Sequence, residues 1–382
     1  MFGTLLIYIF FLLIAADIYI YILFIRRKTK NIILRSIWFL PTLLLLGALL
    51  SFFFRSYGIE YQGIFTVIFV ALAFPKIIFS LITLLDFPFR IFFKWKIYPF
   101  TIVALIISLM ILYIVLYGSL IGASKITIKE VTFYSDDLPD SFADLRIVHI
   151  SDLHIGFWKD TAKIVKMVEM VNSQKPDIVA ITGDLVHYTA NELNGYEVIL
   201  SQIKAPYGVY SVLGNHDYGR YKRWKSIMEQ AENFLDLQQR QANMGWILLN
   251  NEHVIFSKEG SQFALIGVEN DGEPPFHGDG DLTKAMRGTE NVHFKVLLSH
   301  NPTHWRREVL DTDINLTLSG HTHGGQFAIG NISYFSFRYP EWGGLYMEDK
   351  QGLYVNTGFG YAIVPFRFGV FPEITVITLK KF

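Results

Sequence analysis

Residues 146–154 read Arg-Ile-Val-His-Ile-Ser-Asp-Leu-His and combine a short apolar run with an Asp-x-His pair. The run from Arg146 to Ile150 has the length of a buried strand, and Asp152 and His154 follow it directly. In α/β proteins, residues just beyond the carboxyl ends of strands build the functional sites. This stretch therefore predicts an α/β domain that carries ligand-type side chains at a strand end.

The same arrangement recurs along the chain. Polar residues follow four more apolar runs: Asp184 after 177–182, Asn215 and His216 after 209–213, His300 after 295–298, and His321 and His323 after 316–318. A further apolar run lies at 264–268, and a helical pattern at 161–172 separates two of the runs. An alternating run at 125–131 predicts the first strand. We therefore predict one α/β or α+β domain over residues 124–382.

The first 122 residues have a different character. The whole chain is 51% hydrophobic with a mean hydropathy of +0.32, and the excess lies in four apolar stretches at about 5–25, 37–54, 64–85 and 100–121. Each approaches the length that spans a bilayer as a helix, so we predict a four-helix transmembrane domain over residues 1–122. The basic cluster lies after the first stretch, which argues against a cleaved signal peptide.

Basic loop residues predict the orientation of this multi-pass domain. They are concentrated between the first and second stretches, at Arg26, Arg27, Lys28, Lys30 and Arg35, and between the third and fourth, at Arg90, Lys94 and Lys96. The loop between the second and third stretches has only Arg55. Because basic loops stay in the cytoplasm, we expect the C-terminal domain to be extracytoplasmic.

Two ionisable residues, Asp17 and Lys76, lie inside the first and third apolar stretches at matching depths. Charges in such positions are costly and are expected to face the bundle and pair. We hypothesise an Asp17–Lys76 ion pair; the alternative is that Lys76 lines a polar cavity near Pro75.

Composition excludes several kinds of site. The chain has no cysteine, so thiolate zinc sites, disulfides and cysteine nucleophiles are excluded. Its 34 basic and 34 acidic residues balance and leave no basic stripe for a phosphate backbone, so we predict no nucleic-acid partner.

The strand-end residues supply oxygen and imidazole ligands for two adjacent divalent ions. A carboxylate is best suited to bridge such a pair, and Asp184, after Gly183, is our choice. Asp152 and His154 can reach one ion from a single turn, and His321 and His323 point the same way along an extended segment. The other histidines, at 149, 187, 253, 277, 293 and 304, are interpreted as hydrogen-bonded structural residues.

The ordered motifs Asp152-x-His154, Gly183-Asp184, Gly214-Asn215-His216-Asp217, Ser299-His300 and Gly320-His321-x-His323 resemble the signature of the calcineurin-like metallophosphoesterases, in particular a membrane-associated bacterial branch. The resemblance covers about residues 144–378. It implies two mixed β-sheets sandwiched between helices. It also implies one ion held by Asp152, His154, His323 and Asp184, and a second held by Asp184, Asn215, His300 and His321.

The resemblance implies a membrane-anchored phosphoesterase that hydrolyses phosphate mono- or diesters with hydroxide formed from a metal-activated water. His216, the motif histidine not assigned to a metal, is the candidate catalytic acid, and Asp217 could fix its tautomer. Ligands without sulfur suit manganese, or iron, zinc or cobalt. We predict a phosphate-ester substrate, lipid-linked or from the cell envelope, and no protein partner. The alternative is a non-catalytic membrane sensor or scaffold that binds a phosphorylated ligand.

Two other segments have open interpretations. The acidic segment 269–281 predicts a surface loop, either simply solvated or close to the metals. The aromatic residues Phe335, Phe337, Tyr339, Trp342 and Tyr346 follow the last metal motif and either form an apolar wall for acyl or prenyl chains or pack in the core.

Overall fold

The computed structural model describes residues 2–54, 59–92, 98–158, 160–274, 278–362 and 364–382. The chain divides into two units, Met1–Ile121 with Ile363–Phe366, and Gly122–Ala362 with Arg367–Phe382. Four residues named above lie outside the described residues: Arg55, Lys94, Lys96 and His277.

The first unit is helical, as its long Leu-, Ile- and Phe-rich stretches predict. Its helices are α1 (Phe2–Ile20), α2 (Ile32–Ile37), α3 (Leu40–Phe54), α4 (Ile59–Thr83), α5 (Asp86–Phe92) and α6 (Pro99–Leu120). A π-helical segment, Tyr21–Ile25, continues α1. Pro75 lies inside α4, and Ser108 of α6 donates a hydrogen bond of 2.9 Å to its carbonyl. Helix α6 therefore packs against the proline turn of α4.

Three helical segments of the described chain are long and apolar enough to cross a membrane: Ile7–Ile25, Tyr61–Phe89 and Pro99–Ser124. The remaining stretch of the predicted four, 37–54, contains the shorter helix α3. Its 15 residues span about 22 Å, less than the ~30 Å hydrocarbon core of a bilayer. Of the four spans predicted from the sequence, the structure therefore supports three by helix length, because the continuous helix in the stretch 37–54 begins only at Leu40.

Asp17 and Lys76 form the predicted ion pair. Lys76 Nζ lies 2.7 Å from Asp17 Oδ1, and Asp17 is fully buried. The other carboxylate oxygen accepts a hydrogen bond from Thr42 on α3. Trp38 lies under the Lys76 ammonium, 4.6 Å from ring centroid to Nζ. This network joins α1, α3 and α4 through polar contacts inside a largely apolar unit.

We expect Asp17→Asn and Lys76→Met each to destabilise the protein, because each leaves a buried partner without its counter-charge. Breaking a buried ion pair in this way costs about 3–5 kcal/mol. The double variant should lose much less than the sum of the two single losses. The measurement is the apparent melting temperature of the full chain in detergent for all three variants, and additive losses would contradict the pairing.

The described residues of the second unit form fourteen strands in two large sheets and a hairpin. The strands are β1 (Thr127–Tyr134), β2 (Arg146–Ile150), β3 (Ile178–Thr182), β4 (Val209–Val212), β5 (Trp246–Leu248), β6 (Glu252–Lys258), β7 (Ser261–Gly267), β8 (Phe294–Leu298), β9 (Leu316–Ser319), β10 (Ala328–Ile329), β11 (Ile332–Ser333), β12 (Gly344–Glu348), β13 (Gln351–Val355) and β14 (Glu373–Lys380). The helices are α7 (Thr161–Ser173), α8 (Glu197–Leu200), α9 (Ile227–Asn243), α10 (Leu282–Met286) and α11 (Thr303–Arg307).

Each large sheet has six strands and mixed directions. The order is β1-β14-β2-β3-β4-β5 in the first sheet and β12-β13-β9-β8-β7-β6 in the second. Strands β2 to β5 are parallel, and β14 is antiparallel to β2. In the second sheet, β7, β8, β9 and β13 are parallel, with antiparallel β6 and β12 at the edges. The predicted α/β fold with mixed sheets is confirmed.

The core has three apolar layers. Side chains such as Ile147 and Ile178 of the first sheet meet Leu265 and Val296 of the second in the central layer. The other face of the first sheet packs against α7, and the other face of the second packs around Trp305 of α11. The predicted strands are confirmed, with ends that differ by up to three residues. Parallel β2, β3 and β4 end at one edge of the first sheet, and β8 and β9 end at one edge of the second, so the polar residues after them can converge.

Candidate metal centre

The first group of converging side chains is Asp152, His154 and His323, all buried. His154 Nε2 lies 3.1 Å from His323 Nε2, and His323 Nε2 lies 3.3 Å from Asp152 Oδ1. Three ligand atoms at such spacings could hold one metal ion.

The second group is Asp184, His300 and His321, which could also hold a metal ion. His300 Nε2 lies 3.2 Å from His321 Nδ1 and 3.4 Å from Asp184 Oδ2. The side-chain oxygen of Asn215 lies 3.2 Å from the same His300 nitrogen. All the side chains of this group therefore direct a donor atom toward a common point.

One carboxylate connects the two groups. Asp184 Oδ2 lies 3.4 Å from His300 Nε2 in the second group and 3.6 Å from His154 Nε2 in the first. Its other oxygen accepts a hydrogen bond of 2.8 Å from the His216 backbone N–H. The seven residues predicted from the sequence as ligands therefore lie together, with Asp184 at the centre.

The backbone at these residues is strained. Five of the seven adopt a left-handed conformation with positive φ: Asp152, His154, Asp184, His321 and His323. Non-glycine residues rarely do so, and such strain gathers at functional sites. The sharp turns redirect each side chain from the strand axis into the common space. Gly183 permits one of them, because a Cβ there would lie 2.5 Å from the backbone nitrogen of Gly214.

The donor set fits a divalent ion. Asp152 Oδ1 is buried and has no hydrogen-bond partner, a costly state for a carboxylate oxygen. Within each group, two imidazole nitrogens face each other, at 3.1 Å in the first group and 3.2 Å in the second. A cation between them would satisfy the oxygen and the nitrogen lone pairs together.

Burial and neighbouring charge shift the pKa values within the site. Burial opposes the charge of Asp184, but the charges and hydrogen bond of His300, together with His216 and His154, outweigh it and hold the pKa of Asp184 well below its usual range. Burial also opposes a charge on His300, yet attraction by Asp184 raises its pKa to about 9. Burial raises the pKa of Asp152 to about 6. It lowers the pKa of the other imidazoles, those of His154, His321 and His323, which stay neutral as metal ligation requires.

Contacts behind the ligands fix their orientation. The Thr182 carbonyl accepts a hydrogen bond of 2.7 Å from His300 Nδ1, and this contact directs Nε2 toward Asp184. Arg367, fully buried, places Nη2 3.2 Å from His323 Nδ1 and donates from Nη1 to the Thr357 carbonyl at 2.8 Å. Burial lowers the pKa of Arg367 to about 10. No sequence pattern indicated a role for Arg367.

His187, interpreted from the sequence as a hydrogen-bonded structural residue, lies inside the site. Its Nδ1 lies 3.2 Å from His154 Nδ1, and its ring stacks on the His216 ring at 4.5 Å between centroids. His154, His187 and His216 form a third group that could hold a metal. The available signal was position, because His187 is three residues beyond Asp184 on the same turn.

Three of the other histidines in this class have structural hydrogen bonds. His149 contacts Thr182 Oγ1 at 2.8 Å, His253 contacts the Ala285 carbonyl at 2.8 Å, and His304 contacts Ser299 Oγ at 2.9 Å. These contacts agree with the interpretation given to them from the sequence.

The predicted role of Asp217 is wrong. His216 Nδ1 contacts the His187 carbonyl at 2.8 Å, and this carbonyl fixes the tautomer by accepting the Nδ1 proton. Asp217 turns back into its own loop instead and accepts from the backbone N–H groups of Gly214, at 2.9 Å, and Val186, at 3.2 Å. Neighbouring positions in a tight turn point their side chains to different sides, so adjacency in sequence was misleading.

Asp217→Ala should therefore lower the stability of the fold and not only the catalytic activity, because it leaves two buried N–H donors unsatisfied. The expected loss is about 2–5 kcal/mol in the free energy of unfolding. Urea unfolding followed by tryptophan fluorescence measures it, with Asp236→Ala on α9 as the control, because that side chain is 44% exposed and takes part in a surface ion pair with Arg240. Unchanged stability with reduced turnover would instead favour a direct role on His216.

Comparison with known proteins identifies relatives for most of the chain. A family model described as calcineurin-like phosphoesterase matches residues 145–325. A transmembrane protein with metallophosphoesterase domain from Danio rerio is 34% identical over 292 residues, which cover 74% of this chain and 63% of that protein. A protein of the same name from Bos taurus is 32% identical, with 69% and 59% covered.

A bacterial relative is covered more fully. A metallophosphoesterase of Campylobacter jejuni is 30% identical over 277 residues, which cover 72% of this chain and 69% of that protein. By contrast, the chain spans only about three fifths of the length of the two vertebrate relatives.

Proposed function

Because the chain belongs to the calcineurin-like metallophosphoesterase family, we propose that it is a membrane-anchored enzyme that hydrolyses phosphate monoesters or diesters with two divalent metal ions. The position of Asp184 carries the proposal: its Oδ2 lies 3.6 Å from His154 Nε2 and 3.4 Å from His300 Nε2. A carboxylate between two imidazole groups can ligate two cations at once, the arrangement that supports in-line phosphoryl displacement.

The proposed ligand sets share only Asp184. The first ion would be held by Asp152, His154, His323 and Asp184, and the second by Asp184, Asn215, His300 and His321. The unpartnered Asp152 Oδ1 supports the first set, and the Asn215 side-chain oxygen 3.2 Å from His300 Nε2 supports the second. Nitrogen and oxygen donors without sulfur suit manganese, iron, zinc or cobalt, and we propose manganese or a mixed occupancy.

Bound at these positions, the ions would supply Lewis-acid polarisation of the phosphoryl oxygens and a water of lowered pKa. The chain supplies the proton for the leaving oxygen. His216 is partly exposed, and its Nδ1–H donates to the His187 carbonyl at 2.8 Å. Its Nε2 is then the atom that carries the transferable proton, and we propose His216 as the general acid.

We propose that the catalytic unit faces the outside of the cytoplasmic membrane. The basic cluster from Arg26 to Arg35 supports a cytoplasmic loop after α1. An extracytoplasmic catalytic unit requires an even number of crossings, so α3 would cross together with α2, which precedes it. The two helices occupy Ile32–Ile37 and Leu40–Phe54. Anchoring at a bilayer favours lipid-linked or envelope phosphate esters as substrates.

The test of this function is hydrolysis by the full-length protein and by His216→Ala. Wild type should release nitrophenol from mono- or bis-p-nitrophenyl phosphate only with a divalent ion such as manganese, zinc, iron or cobalt. His216→Ala should lower kcat by about two to four orders of magnitude, because the leaving oxygen then departs without a proton. Its metal content should equal that of wild type.

The matched control is His293→Ala, which removes an exposed imidazole at the opposite end of β8 from His300. Its kcat should match wild type. Loss of metal from His216→Ala would refute the assignment of His216 as a non-ligand. Absence of turnover by wild type with all four metals would favour a sensor or scaffold.

A further inference from the structure

Two tyrosines border the second metal group. The Tyr221 hydroxyl accepts a hydrogen bond of 2.9 Å from Asn215 Nδ2, which turns the Asn215 oxygen toward His300. The Tyr339 hydroxyl lies 2.9 Å from His321 Nε2, which leaves Nδ1 facing His300. Both rings therefore stand beside ligand side chains at the border of the site.

Tyr221 also contacts the proposed acid. Its ring lies 4.4 Å from the His216 ring between centroids, and its side chain is 46% exposed. Tyr339 is buried, whereas the nearby Phe337 is 95% exposed. Within the aromatic segment, Tyr339 therefore lies at the border of the site, whereas Phe337 lies on the surface.

An arginine precedes each border tyrosine. Arg220 precedes Tyr221 and pairs with Asp279 at 2.9 Å. Arg338 precedes Tyr339 and pairs with Glu273 at 3.3 Å. Both carboxylates belong to the acidic segment 269–281. This segment is therefore paired with arginines next to the border tyrosines and is not a simply solvated loop. Two arginines from separate loops therefore directly precede, in sequence, the tyrosines that contact Asn215 and His321.

These two ion pairs are partly exposed. The side chains are 30% and 34% exposed in the Arg220–Asp279 pair, and 54% and 39% exposed in the Arg338–Glu273 pair. Pairs with this exposure contribute little to stability, because water and salt compete for both partners. An anion with better geometry could replace either carboxylate at small cost.

The acidic segment would stay attached if both pairs opened. Asn251 Oδ1 accepts from the backbone nitrogens of Glu269, at 3.1 Å, and Asp281, at 2.9 Å, and so ties the two ends of the segment together. Asp271 is also held by Arg307 of α11, and its side chain is only 12% exposed. Release of Arg220 and Arg338 therefore does not require the segment to unfold.

We propose that Arg220 and Arg338 form a second anion subsite, which binds a second phosphate group of the substrate while the metals bind the phosphate that is cleaved. This rests on the proposed function and narrows its substrate class to phosphate esters that carry another phosphate group nearby. Guanidinium groups suit this role because their planar donors match phosphate oxygens in pairs. Asp279 and Glu273 hold the arginines in place until the substrate phosphate displaces them.

Electrostatics agrees with this geometry. Burial lowers the pKa of His321 to about 3, and the positive charge of Arg338 acts in the same direction. Burial raises the pKa of Tyr221, and the charge of Arg220 opposes that shift. Both arginines are therefore within electrostatic reach of side chains at the second metal group.

The test compares the binding of methylphosphonate and methylenebisphosphonate to the full-length, manganese-loaded protein by isothermal titration calorimetry. The second compound adds one phosphonate to the first. The dissociation constant of methylphosphonate divided by that of methylenebisphosphonate therefore measures how much the second anionic group contributes to binding. We expect the double variant Arg220→Gln/Arg338→Gln to reduce this ratio by about tenfold or more, as loss of charged hydrogen bonds predicts. Asp279→Asn/Glu273→Gln should raise it by about two- to fivefold, because the competing carboxylates are neutralised.

Lys222→Gln is the matched control, since it removes one positive charge from the loop that carries Arg220. It should leave the ratio close to that of wild type. An unchanged ratio in the double arginine variant, or an equal reduction in Lys222→Gln, would overturn the subsite. Calorimetry does not require turnover, so a failure of the subsite is distinguishable from a failure of the proposed phosphoesterase activity.

Discussion

The architecture of the site depends on the contact between Asp184 and the imidazoles of His154 and His300. Asp184 follows β3 of the first sheet, whereas His300 follows β8 of the second. The carboxylate oxygen at 3.4 Å from His300 therefore joins the edges of two sheets that meet mainly through apolar packing. Because charged and polar groups meet there at the end of the core, their burial is favourable only if each finds a partner.

The apolar layers make this concentration of polar groups possible. Strained left-handed residues follow β2, β3 and β9, and each costs about 1–3 kcal/mol. The strands before them are almost fully buried, so the turns cannot relax without disrupting sheet pairing. Rigid strands thus hold the donor atoms close together, and the proposed cations would offset the repulsion that this closeness causes.

The sequence predicted the strands and the seven ligand-type residues because each of those residues lies within a few positions of a short apolar run. Contacts behind and beside them could not be predicted. Arg367 reaches His323 from 44 residues away, and Tyr339 reaches His321 from 18 residues away, through loops that have no periodicity. The role given to Asp217 was wrong for a related reason: the direction of a side chain in a tight turn depends on backbone angles that sequence adjacency does not reveal. The Asp17–Lys76 pair was predictable because a bilayer leaves isolated charges few alternatives.

The central claim is that one carboxylate is shared by two metal ions. Its most direct test is the metal content of the full-length protein and of Asp184→Asn after equilibration with manganese and removal of free metal, measured by inductively coupled plasma mass spectrometry. The account predicts two ions per chain in wild type and fewer than one in Asp184→Asn, because both ligand sets lose their common charged member. One ion per chain in wild type, or two in Asp184→Asn, would contradict it.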